Sequence, residues 1–252
     1  MGRSSVTGMQ GERALDPAGA LRQAGLSVRW LGCVPYADAL ALQEQAVAAR
    51  RRGEIGNQLL LLEHPPVITL GSGAHDENIR ISEQECAERG IERFRVRRGG
   101  DVTLHAPGQL VGYLVVDLSQ GGTPDVHRFL REIEAGLIDV LGAFGLEGRV
   151  IAGWTGVFMG PGSVGDTAPA RKIASIGVGL RGWVSYHGFA LNVDLDLAGF
   201  EAIVPCGLHG VEMTSLQQEF AGPVSIPREE LDGALVRAKV AEVFERRFGS
   251  WR

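Results

Sequence analysis

Ile173-Ala174-Ser175-Ile176-Gly177-Val178-Gly179-Leu180, the pair Arg181-Gly182, and Trp183-Val184-Ser185-Tyr186-His187-Gly188-Phe189-Ala190-Leu191-Asn192-Val193 read as two strands about a tight turn. In the second run His187, Phe189, Leu191 and Val193 recur every two residues, which predicts that they share one side. Such a hairpin makes its two strands antiparallel, so the sheet containing it cannot be purely parallel.

Outward from the hairpin, strands and helices interleave. Residues 26–32 alternate as a strand, and Tyr36 to Arg52 carries Tyr36, Leu40, Ala46 and Val47 at helical spacing before Gly53. Gln58 to Glu63 reads as a buried strand, His64-Pro65-Pro66 breaks it, and Val67 to Leu70 resumes before Gly71-Ser72-Gly73. Ser82 with Glu85 forms a capping-box pattern for a short helix ended by Gly90. Phe94 to Arg98 and Val111 to Leu118 are expected strands flanking a loop from Gly99 to Gln109. Thr123-Pro124-Asp125 opens a core helix with Val126, Phe129, Leu130, Ile133, Leu137, Val140, Leu141 and Phe144 on one face and Gly145 at its end. Gly153 to Ala170 reads as a short strand and a long Gly- and Pro-containing loop, and Pro227 to Phe248 as an amphipathic helix opening on Glu229 and Glu230 and closing on Arg246 and Arg247. Without any internal repeat, this predicts an α+β fold: a single domain over 26–252, with a mixed β-sheet packed by helices, behind a loose N-terminal tail over 1–25.

Composition excludes several classes. The chain has 252 residues, 44% hydrophobic and 22% charged, and a net charge of -5, which does not supply the basic surface that nucleic-acid binding by counterion release needs. No run reaches the about 18 successive apolar residues of a membrane span, and residues 1–25 lack the apolar segment of a secretory signal. Cys33, Cys86 and Cys206 are odd in number and widely spaced, which is neither a disulfide framework nor a metal site; a reduced cytoplasm is expected.

Three segments carry possible chemistry. Lys172 is one of 2 lysines beside 23 arginines, and an amine can release and retake a proton where a guanidinium cannot. Cys206 stands in Pro205-Cys206-Gly207, where glycine exposes the backbone beside the sulfur. In Arg98-Gly99-Gly100-Asp101-Val102-Thr103-Leu104-His105-Ala106-Pro107-Gly108-Gln109 the glycines admit close approach to a ligand, and Thr103 and His105 are placed to line one cavity. Each alone reads equally well as ordinary structure: a surface cation, a buried inert thiol, a turn.

In order, the patterns R-G-G-x-x-T-x-H-x-P-G-Q, K-I-A-S-I-G, S-Y-H-G-F-A-L-N-V and P-C-G resemble the octanoyltransferases of lipoate biosynthesis, from about Val28 to about Leu216. The resemblance implies the catalytic fold shared with biotin and lipoate protein ligases. It implies transfer of an octanoyl group from the phosphopantetheine of acyl carrier protein to a lysine of lipoyl domains, those of 2-oxoacid dehydrogenase complexes and of glycine cleavage H protein, with no ATP, other cofactor or metal. By the same resemblance Cys206 forms an acyl-thioester, Lys172 favours the thiolate and acts as acid and base, and substrate is bound by Arg98 to His105 (Arg98, Gly99, Gly100, Asp101, Val102, Thr103, Leu104, His105), by Ser175, Ile176 and Gly177, and by Gly188, Phe189 and Ala190.

Leu104 replaces an aromatic and Ala106 a glycine of the family pattern, which puts the shape of the acyl pocket wall in question, and Gly160 to Ala168 reads as an insertion. An ammonium about 4 Å from a thiolate contributes up to about 4 kcal/mol at an effective dielectric of about 20, enough to hold a thiol ionised at neutral pH. The backbone N–H groups of Cys206 and Gly207 are the expected oxyanion donors. Arg93, Arg95 and Arg97, alternating on one strand, suit either an acidic carrier protein or a solvated edge. Other readings are an ATP-dependent lipoate or biotin ligase of the same fold, a non-catalytic acyl- or lipoyl-domain-binding module, and a cysteine hydrolase using His187 or His105.

Overall fold

The computed structural model describes residues 25–120, 122–160, 169–207, 210–220 and 232–251. In chain order the elements are β1 (Leu26–Cys33), α1 (Tyr36–Arg51), β2 (Asn57–Glu63), β3 (Val67–Leu70), α2 (Glu83–Glu88), β4 (Glu92–Arg95), β5 (Val102–His105) and β6 (Gln109–Val115). There follow α3 (Val126–Ala143), β7 (Val157–Met159), β8 (Arg171–Arg181), β9 (Val184–Asn192), β10 (Glu212–Met213), α4 (Leu216–Phe220) and α5 (Gly233–Phe248).

The hairpin lies within the larger sheet, ordered β1-β2-β6-β9-β8-β10, with β7 also on β8. The sheet is mixed: β1 runs parallel to β2 and β10 to β8, and the β2–β6, β6–β9, β8–β9 and β7–β8 pairs are antiparallel. Arg181 pairs with Val184 across the two-residue loop Gly182-Trp183, whose φ values of 57° and 64° give the left-handed geometry that suits twisted strands.

Alternation assigns the two faces. Leu59, Leu61, Leu110, Leu114, Phe189 and Leu191 pack under α3 and α5, and Leu60, Leu62, Val111, Tyr113 and Ala190 pack against Ala39 of α1. Gly136 of α3 lets α5 close in: a Cβ there would stand 3.1 Å from the Phe244 ring. The smaller sheet, β4-β3-β5, encloses a second core with Ile68, Leu70, Cys86, Val102, Leu104, Phe200 and Ile203.

Several sequence expectations shift. The segment expected to be a loop from Gly99 to Gln109 contains β5, four buried residues paired to β3, because alternate side chains are covered on both faces. In α1 the buried face is Tyr36, Ala39, Gln43, Val47 and Arg50, and Leu40 and Ala46 lie at its margin. The alternation of Phe189, Leu191 and Val193 holds, but His187 has φ 56° and packs its ring against Tyr113 and Tyr186 instead. Helix α5 opens at Asp232, whose side chain accepts from the Ala234 N–H, so the expected start at Pro227, with Glu229 and Glu230, lies outside the described residues. The 161–168 part of the expected insertion and residues 1–24 of the tail also lie outside them. Among the described residues no helix is long and apolar enough to cross a membrane.

Candidate active site

Lys172 is the second residue of β8 and has ladder partners on both sides, Phe158 in β7 and Met213 in β10. It is 1% exposed, and its Nζ donates to Cys206 Sγ at 3.1 Å and to the Thr155 carbonyl at 3.0 Å. The Phe158 ring lies 5.4 Å from the same nitrogen. Space for the side chain comes from Gly156, with φ 130°: a Cβ there would stand 2.7 Å from Lys172 Cε and 2.6 Å from the Ala174 carbonyl oxygen. A buried ammonium is costly unless it is hydrogen-bonded and paired, and a carbonyl and a sulfur able to ionise meet that need.

Cys206 occupies a single helical turn, Pro205–Gly207, at φ 56° and ψ 18°, a left-handed conformation that costs a non-glycine residue about 1–3 kcal/mol and persists only where its surroundings enforce it. The enforcement comes from the other sheet. Val204 N–H donates to the Asn78 carbonyl at 2.7 Å, the Asn78 amide holds Asp101, and Asp101 also accepts from the N–H groups of His75 (3.1 Å) and Val102 (2.8 Å). Gly207, φ 64°, must be glycine here, since a Cβ would meet the Asp101 carboxylate at 2.6 Å. Its N–H donates to the Val204 carbonyl at 3.0 Å, so of the two expected oxyanion donors Gly207 is already engaged.

Arg98 is a second buried cation. It donates to Thr69 Oγ1 and the Thr69 carbonyl, each at 2.8 Å, and to the Gly99 carbonyl at 3.0 Å. Its channel is cut by two glycines, for a Cβ at Gly71 would stand 2.7 Å from its Nη1 and one at Gly177 3.2 Å from its Cδ. Burial depresses its pKa, opposed by attraction to Tyr36, Cys206, Tyr113 and Asp101. The sulfur therefore has two cationic side chains for neighbours, Lys172 and Arg98.

Behind Arg98 lies a neutral polar cluster. His64 Nδ1 donates to the Val34 carbonyl at 2.6 Å, which leaves Nε2 to accept from the Tyr113 hydroxyl at 2.7 Å. His105 Nδ1 donates to Gln109 Oε1 at 2.7 Å, and Gln109 is itself fixed by Asn192 at 2.9 Å. Burial pushes the pKa values of His105 and His187 down to about 3, so both rings are weak bases at neutral pH, which disfavours the hydrolase reading.

Of the sequence-derived site residues, Arg98, Gly100, Asp101, Thr103 and His105 line one cleft with Cys206. Ser175, Ile176 and Gly177 of β8 and Gly188, Phe189 and Ala190 of β9 form its opposite wall. Val102 and Leu104 do not join them; alternation along β5 turns both into the second core, so Leu104 does not line this cleft. Gly99 contributes its carbonyl to Arg98 rather than to the cleft. Arg93 pairs with Glu83 and Arg95 with Asp76, which neutralises much of the expected basic row. Sequence reasoning missed Tyr36, Val111 and Tyr113 in the cleft, and Thr155, Gly156 and Glu134 behind the lysine. A signal was present for Glu134, a carboxylate on an otherwise apolar helix face. Among the described residues no group of three or more His, Cys, Asp or Glu is arranged to hold a metal ion.

Comparison with known proteins identifies the family. A family model described as the lipoyl protein ligase A/B catalytic domain matches residues 35–240. The octanoyltransferase of Chloroflexus aurantiacus is 46% identical over 220 residues, 87% of this chain and 94% of that protein. That of Syntrophotalea carbinolica is 44% identical over 226 residues, 90% of this chain and 96% of that protein. The octanoyltransferase of Myxococcus xanthus is 44% identical over 213 residues, and the match spans 84% of this chain and 58% of that longer relative. Among solved structures, lipoate-protein ligase A bound with ATP superposes with a TM-score of 0.63 at 17% identity, over 88% of this chain and 84% of that one, a likeness of fold. The expected α+β ligase-type fold is thereby met, and the chain belongs to the lipoyl protein ligase A/B catalytic family, with the octanoyltransferases.

Proposed function

We propose that octanoyl transfer in this protein runs through a thioester on Cys206, with Lys172 as the proton carrier. The observation that carries it is the 3.1 Å contact between Nζ and Sγ, in which Cys206 lines the cleft walled by the glycine-rich strands and the buried Lys172 stands behind it. The donor is the octanoyl thioester on the phosphopantetheine arm of acyl carrier protein. Cys206 attacks its carbonyl as thiolate; the new carbon–sulfur bond replaces the old one at little free-energy cost, and the leaving pantetheine sulfur takes the Lys172 proton. The acceptor is the lysine of a lipoyl domain. Its neutral amine attacks the Cys206 thioester, its proton passes to Lys172, and the sulfur leaves as thiolate, which restores the starting pair.

Amide formation from a thioester is downhill, so no nucleotide is required. A ligase reaction would begin from a free acid and activate it through an adenylate, with no step for a cysteine. Octanoyl carrier protein, a lipoyl domain and this protein are expected to give octanoylated domain at the same rate with and without ATP. Modification from free octanoate only when ATP is present would support the ligase instead. Conserved activity in Cys206→Ser would support a module that merely brings the two partners together.

A further inference from the structure

Helix α3 buries seven residues, Phe129, Ile133, Glu134, Gly136, Leu137, Val140 and Leu141, and all but one are apolar. Glu134 is 1% exposed. A carboxylate taken out of water costs several kcal/mol unless it is matched by charge and hydrogen bonds, so its partners are informative. Its Oε1 accepts from the Gly156 N–H at 3.1 Å, and its Oε2 pairs with Arg131 at 2.8 Å. The peptide unit between Thr155 and Gly156 is therefore gripped from both ends: its N–H points at Glu134, and its carbonyl accepts from Lys172 Nζ at 3.0 Å. Burial raises the Glu134 pKa, and the Gly156 N–H, Arg131 and Lys172 oppose that rise.

From this arrangement we infer that Glu134 is a positioning residue for Lys172. It fixes the Thr155–Gly156 carbonyl that aims the ammonium at Cys206, and its negative charge, behind the lysine, favours the protonated amine. The inference rests on the proton-carrier reading of Lys172. The groups that face the Nζ are Cys206 from the 205–207 turn, the Thr155 carbonyl and Phe158 ring from around β7, and the Glu134 charge from α3, itself faced by Arg131. Once the lysine has given up its proton to the leaving thiol, the fixed negative charge makes it a stronger base toward the acceptor amine.

The test is single-turnover acylation of the full chain by octanoyl-pantetheine, followed from neutral into alkaline pH. Glu134→Gln keeps the shape and an acceptor for Gly156 but removes the charge, and is expected to move the alkaline limb of the rate about one unit lower. Glu134→Asp, which keeps the charge, is expected to leave that limb in place although its rate falls. Arg131→Gln, altered at a half-exposed position, is expected to move the limb the other way. A Glu134→Gln limb that coincides with that of the parent, or a rate lowered equally at every pH, overturns the inference; so does an Arg131→Gln limb that stays or moves lower. Failure of the parent to acylate Cys206 would instead overturn the mechanism on which the inference stands, so the two failures are distinguishable.

Discussion

Lys172 and Cys206 meet at 3.1 Å, yet they are held by opposite means. The lysine is built into the larger sheet, paired on both strand edges, almost wholly buried, and backed by a glycine that leaves no slack around it. The cysteine sits at the partly exposed apex of a strained turn, tethered by the Val204 N–H to the carbonyl of Asn78, whose amide in turn holds Asp101 beside the smaller sheet. The division suits the work proposed for each. A proton carrier acts through distance and orientation, so it belongs on a rigid element, and a nucleophile that must meet two successive macromolecules has to reach the surface.

The comparison breaks most completely at the sulfur. Cys206→Ala is expected to lower transfer to a lipoyl domain by at least about a thousandfold, because among the described residues lining the cleft it is the only thiol; steady-state octanoylation checks it. Next is Lys172→Arg, which keeps the charge but cannot pass a proton. A fall in turnover of about a hundredfold or more is expected, and a rate near the parent would remove the acid/base role. Gly156→Ala sharpens the contrast from the rigid side. Forcing a Cβ into the space of the lysine at a φ that disfavours it should cost about 1–3 kcal/mol in stability and about tenfold or more in turnover, measured by denaturant unfolding and kinetics.

The effect furthest from the sulfur and the lysine is on stability against pH. His105 and His187 have pKa values near 3 in the folded chain, against 6.5 for the unperturbed ring, so below about pH 6.5 the unfolded state binds protons that the native state refuses. Stability is therefore expected to fall as pH drops from 6.5 toward 3, in addition to any carboxylate effect, and to be insensitive to these rings above that window. Urea titrations at pH 7 and pH 5 would read it, and replacing His105 with Asn should flatten the slope.

The two regions also differed in how far they could be read from sequence. The β8–β9 hairpin, the capping box at Ser82 and the core face of α3 declare themselves through local periodicity and capping chemistry. The lysine and cysteine were legible because arginine dominates elsewhere and because the motif order is specific. What escaped was set by tertiary contact. Strand β5 hides between glycine-rich turns, because Val102-Thr103-Leu104-His105 is only four residues long and its alternation is too short to stand out. Gly156 looks like any loop glycine until the Lys172 side chain fills the place of its missing Cβ. Gln43 of α1, buried so that it can accept the N–H of the left-handed His187 at 2.7 Å, matches a residue 144 positions away. Polar residues on apolar helix faces, Gln43 and Glu134, are the feature worth heeding, since each supports the site from behind.

The central claim is that the turn sulfur itself carries the acyl chain while the buried lysine moves the proton. Mixing the protein with octanoyl carrier protein and weighing the intact chain by mass spectrometry tests it most directly. The account expects a gain of one octanoyl group, lost on adding a lipoyl domain and absent in Cys206→Ala; octanoylated domain forming while the chain never gains that mass would contradict it.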